Sequence, residues 1–137
     1  MTDEKQQVVD KVEEILSPYF THDDWSGGLR RFSDVPWETM ETALLAAGDL
    51  TDYQLWNGFI GTLALIKEAG KLEEQGFEVK YHGYLVGNGR QDSRLTLEGL
   101  IAYSEDHYKR MLASSRGVQL GADEFEDRGD SVLWWWD

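Results

Sequence analysis

Residues 94–112 read RLTLEGLIAYSEDHYKRML, and the period assigned to them decides the fold. Leu97, Leu100, Ile101, Ser104, Tyr108, Met111 and Leu112 recur at intervals of three and four, the spacing that lines one face of an α-helix. Thr96 stands where an N-cap belongs, because its hydroxyl can accept a hydrogen bond from the first turn. The spacing therefore predicts one long amphipathic helix opening at Thr96 and running to Leu112.

Immediately upstream the period is different. Phe77, Val79 and Tyr81 alternate with Glu78, Lys80 and His82, which is the two-residue repeat of a half-buried strand. Asn88-Gly89 supplies the two positions that tolerate positive φ in a tight hairpin turn. A β-hairpin is expected over roughly 77–96. Before it, DLTDYQLWNGFIGTLALIKEAGKLEEQGF, beginning at Asp49, is rich in helix formers. It fits one long helix that tolerates Gly58 and Gly61, or two shorter helices that these glycines separate. Gly76 ends the element in either case. Further back, WETMETALLAAG reads as a helix to Gly48, capped by Asp34 or Ser33 with Pro36 in its first turn. Residues 19–34, with Gly27-Gly28, read as an ordered loop whose Tyr19, Phe20, Trp25 and Phe32 plug the core edge. Val8, Val9, Val12, Ile15 and Leu16 mark an N-terminal helix closed by Pro18.

The order of helices, hairpin and long helix over residues 36–113 resembles the winged-helix repressors of the PadR and MarR type. The residues that carry the likeness are Leu72-Glu73-Glu74-Gln75-Gly76-Phe77, at the end of a candidate recognition helix, and Leu95-Thr96-Leu97-Glu98-Gly99, at the opening of a candidate dimerisation helix. The resemblance implies a helix-turn-helix, a wing and a long helix. The expected fold class is thus α+β and mostly helical: winged-helix-like helices plus one β-hairpin, with an N-terminal helix and an acidic, Trp-rich C-terminal tail. The expected division is a single domain over 1–113 and a linker with aromatic tail over 114–137. One feature departs from the family. The stretch FIGTLALIKEAGKLEEQ offers Lys67 and Lys71 against Glu68, Glu73 and Glu74, a poor set for reading bases and phosphates. If nucleic acid is touched, Lys80, Arg90 and Arg94 of the wing are the contacts; otherwise these three are the solvated face of a hairpin.

Charge narrows the function classes. The chain has 137 residues, with 26 Asp and Glu against 13 Lys and Arg, for a net charge of −13. The excess is spread evenly, at −4 over residues 1–35, −5 over 36–113 and −4 over 114–137. Such a surface repels phosphate backbones except at high salt. It suits a solubilising coat, adaptation to high internal salt, or a surface that imitates nucleic acid or docks on a basic partner. Cysteine is absent, which excludes disulfide frameworks, thiolate metal sites and cysteine nucleophiles. With no long apolar run and no signal-peptide pattern, no membrane is expected, and the location is cytoplasmic, or a virion interior or host cytoplasm for a viral protein.

Neither catalysis nor a cofactor is expected. The histidines are His22, beside Asp23 and Asp24, His82, and His107, beside Asp106, and no spacing among them matches a metal site or a triad. VGNGR lacks the Lys-Ser/Thr of a phosphate loop, and the RGD at 128–130 is too short a match to carry weight. The expected function is a non-catalytic binding module, a regulator or adaptor that meets a protein partner through an acidic and aromatic surface, with homo-oligomerisation a further option. The alternatives are an acidic nucleic-acid mimic of the viral anti-defence type, a small virion assembly component, and a salt-adapted winged-helix repressor.

The chain ends SVLWWWD, and the candidate protein-binding residues are Trp134, Trp135, Trp136 and Asp137 with Glu124, Phe125 and Glu126. GADEFEDRGD, before them, reads as an acidic linker. In an extended tail Trp134 and Trp136 face one way and Trp135 the other, so two surfaces must cover them. Either the tail folds back on its own domain as an edge strand, or it docks on another chain.

Overall fold

Residues 94–103 are a strand. In the computed structural model, which describes residues 3–24, 28–52, 59–87 and 92–136, Arg94–Tyr103 forms β4 and is buried at every position from 95 to 102. A helix across this stretch would set Thr96 and Glu98, two residues apart, on opposite sides and would have to bury its whole circumference. A strand in a sheet covered on both faces buries every residue, so Thr96, Glu98 and Gly99 are buried along with Leu95, Leu97, Leu100, Ile101 and Ala102, and the three-and-four spacing is a subset of a run covered at every position. The helix expected from Thr96 instead begins eleven residues later as α4 (His107–Gln119), where Asp106 accepts a hydrogen bond from the Lys109 N–H at 3.1 Å.

The elements are α1 (Asp3–Leu16), β1 (Phe20–Asp24), β2 (Leu29–Pro36), α2 (Trp37–Ala47), α3 (Thr62–Glu74), β3 (Glu78–Val86), β4, α4 and β5 (Ser131–Trp135). The five strands make one antiparallel sheet in the order β1-β2-β3-β4-β5. This α+β architecture replaces the mostly helical, winged-helix-like arrangement with a single β-hairpin. Three segments account for the change: 19–34, expected as a loop, lies largely in β1 and β2; the stretch from Thr96, expected to open a helix, continues β4 to Tyr103; and the C-terminal tail supplies β5. Among the described residues no helix is long and apolar enough to cross a membrane.

By Cα packing the chain divides into two compact units, one of residues 1–52 and 81–97, the other of 53–80 and 98–137. In the first, α1 packs on α2. Val9, Val12 and Leu16 are fully buried with Phe32, Val35, Met40 and Ala43. Phe32, expected at a loop edge, is a core position of β2 together with Val35, and Asp34 lies within that strand at φ 58°. The cap of α2 is therefore Pro36, without a side-chain hydrogen bond, and not Asp34 or Ser33. Gly83 has no room for a side chain, since a Cβ there would stand 2.1 Å from the Thr96 carbonyl oxygen.

In the second unit α3 begins directly after Gly61, at φ 97°, so no continuous helix passes through that glycine. Its end is a Schellman motif: Phe77 N–H donates to the Leu72 carbonyl at 3.1 Å and Gly76 N–H to Glu73 at 2.9 Å, with Gly76 at φ 97°. α4 closes in the same way, with Ala122 N–H on Gly117 and Gly121 N–H on Val118, both at 3.0 Å. The hairpin turn expected at Asn88-Gly89 lies outside the described residues.

Candidate functional site

The acidic stretch before the tryptophans is ordered by main-chain pairing. Glu124 and Trp135 exchange hydrogen bonds of 3.0 and 2.9 Å; the Leu133 N–H donates to Glu126 and the Arg128 N–H to Ser131, each at 2.8 Å. Residues 124–128 therefore run antiparallel to β5 on the side away from β4, and Gly129-Asp130 forms the two-residue turn. Gly129 has φ 90°, and a glycine at the first turn position is the signature of a type II′ hairpin. That Gly-Asp pair, passed over as part of RGD, is the sequence signal for the whole arrangement.

Alternation along the paired segment sorts its side chains onto two faces. Phe125 and Asp127 face α4. A Cβ built on Gly117 of that helix would come within 3.0 Å of the Phe125 Cβ, and the Arg110 Nε donates to Asp127 Oδ1 at 3.0 Å. Asp127 also accepts from the Gly129 N–H at 2.9 Å. That backbone bond, reinforced by the Arg110 guanidinium and opposed by desolvation, holds its carboxyl below the ordinary value. His107 Nδ1 lies 4.0 Å from the other Asp127 oxygen.

Trp134 and Trp136 lie on the α4 side as well and are fully buried. The Trp134 indole N–H donates to the Ala113 carbonyl at 2.9 Å. Its ring meets Trp136 edge-on at 6.5 Å, and Trp136 meets Phe59 at 5.4 Å. Gly117 is what lets α4 approach, for a Cβ there would lie 2.6 Å from the Trp134 nitrogen. Two of the three tryptophans expected to bind a partner are thus core residues of their own unit.

The other face carries Glu124, Glu126 and Trp135. Both carboxylates are exposed and Trp135 is half-buried. Trp135 stands directly opposite Glu124 in the pairing, and its indole N–H reaches the buried Glu98 carboxylate at 3.3 Å. A half-covered indole is held beside two solvated carboxylates on a backbone fixed by hydrogen bonds. Asp137, the last candidate at this end, lies outside the described residues.

The wing cations are placed differently. Lys80, half-buried, stands 3.7 Å from Glu78 Oε1 and 5.7 Å from the Tyr103 ring centroid. Arg94 stands 3.2 Å from Asp92 Oδ2 and 5.6 Å from the Tyr84 ring centroid. Each is engaged by its own neighbours, and Arg90 lies outside the described residues. His82 is buried in β3. Among the described residues no group of three or more histidine and carboxylate side chains is placed to hold a metal ion.

One surface feature went unread in the sequence. Tyr108, Met111, Leu112 and Val118 of α4 are between 51% and 67% exposed. The spacing of Tyr108, Met111 and Leu112 predicts the face a helix buries, whereas the residues α4 buries are Arg110, Ala113 and Gly117. The signal was the Ala113 and Gly117 pair, small residues four apart that admit close packing. No protein-family model, curated protein or solved structure matches the chain, and the chemistry open to this surface rests on the residues just described.

Proposed function

We propose that the chain is a non-catalytic binding module, a regulator or adaptor, whose Trp135, Glu124 and Glu126 face takes a basic segment of a protein partner. The observation that carries this reading is the pairing of residues 124–128 with β5, which sets two exposed carboxylates beside a half-buried indole. A Lys or Arg laid over an indole at such a site gains about 0.5–1 kcal/mol. The neighbouring carboxylates add charge-assisted hydrogen bonds. The net charge of −13 steers a cationic partner in and turns away phosphate backbones.

The test is partner isolation from the native host with the full chain and with a Glu124→Lys, Glu126→Lys variant, read by mass spectrometry. A basic protein should be retained by the first, released as salt rises, and missing from the second. Capture of the same proteins by both would overturn the proposal.

A further inference from the structure

The segment 124–128 pairs with β5 on one side only, and its other side is an open strand edge. In an antiparallel pair, residues that exchange hydrogen bonds across the ladder alternate with residues whose N–H and C=O point the other way. Glu124 bonds Trp135, Glu126 bonds Leu133 and Arg128 bonds Ser131, so Phe125 and Asp127 turn their main-chain groups outward. Among the described residues the Phe125 N–H, the Asp127 N–H and the Asp127 carbonyl have no hydrogen-bond partner. The Phe125 carbonyl takes the Ser114 hydroxyl at 2.6 Å, which leaves it a second lone pair. The edge is accessible. Asp127 is exposed as a residue while its side chain, held by Arg110, keeps only 27%, so much of that exposure lies on the main chain.

A row of unpaired main-chain groups is a template for another strand, and the charge around this one selects the strand. Between Asp123 and Asp130 stand five carboxylates and one cation, Arg128. Glu124 and Glu126 project on the Trp135 face, and among the described residues neither carboxylate is engaged in an ion pair or a hydrogen bond. A second copy would bring five more carboxylates and one more cation to the same edge, a net repulsion that the charge of −13 on each chain reinforces. A basic segment in extended conformation complements both the carboxylates and the open main chain.

We infer that a partner protein binds here by strand addition: an extended segment with Lys or Arg at every second residue pairs antiparallel with residues 124–128. The inference rests on the reading of the Trp135, Glu124 and Glu126 face as the site for a basic segment, and it names the mode of binding and the motif. Antiparallel pairing continues the sheet and is the slightly stronger ladder. Incoming residues opposite Glu124 and Glu126 share their face and are the basic ones. Those opposite Phe125 and Asp127 exchange main-chain hydrogen bonds with the edge and lie on the Phe125 side. Phe125 is 40% exposed, and a β-branched apolar residue beside its ring suits that position. Main-chain bonds then supply affinity and the alternate side chains supply specificity.

The probe is the end-blocked peptide Lys-Val-Lys-Val-Lys-Val-Lys, titrated into the full chain and followed by magnetic resonance. Binding should slow hydrogen exchange of the Phe125 and Asp127 amides. N-methylation of the valines, whose N–H groups face the edge, should weaken binding about tenfold or more, as the loss of two hydrogen bonds implies. N-methylation of the lysines, whose N–H groups point away, should leave affinity within about twofold. Binding that is insensitive to methylation, or equally weakened by both patterns, would overturn strand addition and leave the reading of the Trp135 face standing, because side-chain contacts alone would then account for it. Failure of the unmethylated peptide to bind would also overturn the inference, while isolation from the native host still decides the reading beneath it. Protection of the same two amides in the free chain, with a two-chain species in sedimentation equilibrium, would give the edge to a second copy and overturn the inference as well.

Discussion

β4 and α4 are consecutive, and both show apolar residues at intervals of three and four, yet one is a central strand and the other a surface helix. β4 buries eight residues in succession, whereas α4 buries three of its thirteen. A run that buries every residue suits a central strand, whose edges are paired by its neighbours and whose two faces are both covered. A segment that buries one narrow stripe suits a helix, and two of the three residues in that stripe, Ala113 and Gly117, are small enough to bring the helix close to Trp134. Apolar spacing marks residues able to be buried; the neighbours decide which of them are.

Substitutions of a single residue type break the comparison most clearly. Leu100 in β4 is fully buried, and Leu100→Ala should cost about 2–5 kcal/mol in urea-induced unfolding. A loss below the range for surface substitutions would mean that β4 is not a core strand. Next in size is Gly117→Ala, which pushes a methyl group against the Trp134 indole and should cost about 1–3 kcal/mol as an overpacked contact. The same change should shift the tryptophan fluorescence. A stabilised protein would show instead that glycine is present only for want of helix propensity.

Acid provides a smaller lever on the other partner of α4. The folded value of Asp127 lies below the ordinary 3.8. Its contribution is therefore complete above the unfolded value and is lost as pH falls through the folded one. Asp127→Asn should flatten the acid limb of the stability curve while leaving the neutral limb lower, as followed by thermal unfolding across pH. The smallest effect belongs to Leu112→Ala, the surface counterpart of the first change. With Leu112 52% exposed, stability should move by no more than about 0.5 kcal/mol.

The four helices show how far local signals reach. α1 ends beside Pro18, α2 ends at Gly48, and α3 ends at Gly76 through hydrogen bonds that a glycine at positive φ makes possible. Such punctuation is local chemistry and is legible from the residues themselves. Segments 20–36 and 94–103 are different in kind. Their strand character depends on pairing with chain outside the segment, as β2 with β3 and Gly99 with Trp135, and no window of a dozen residues contains both partners.

The candidate site divides along the same line. Glu124, Glu126 and Trp135 stand out in the sequence as acidic and aromatic, but only the two-residue turn at Gly129-Asp130 places them on one face. Trp134 and Trp136 stand out equally and are consumed by the core. The outward ridge of α4 was hidden because its residues look like a core stripe.

By itself the sequence determined the acidity, the absence of thiol chemistry, the glycine and proline stops of the helices, and the alternation that sends Trp135 away from Trp134 and Trp136. These properties follow from side-chain chemistry and from backbone geometry within a few residues. Only the tertiary structure decided that 94–103 is a strand, that the acidic segment pairs with β5, and which side of α4 faces water. Those outcomes depend on burial and hydrogen bonding between segments distant in the chain, where the free energy of covering a whole surface outweighs the preference of any one stretch.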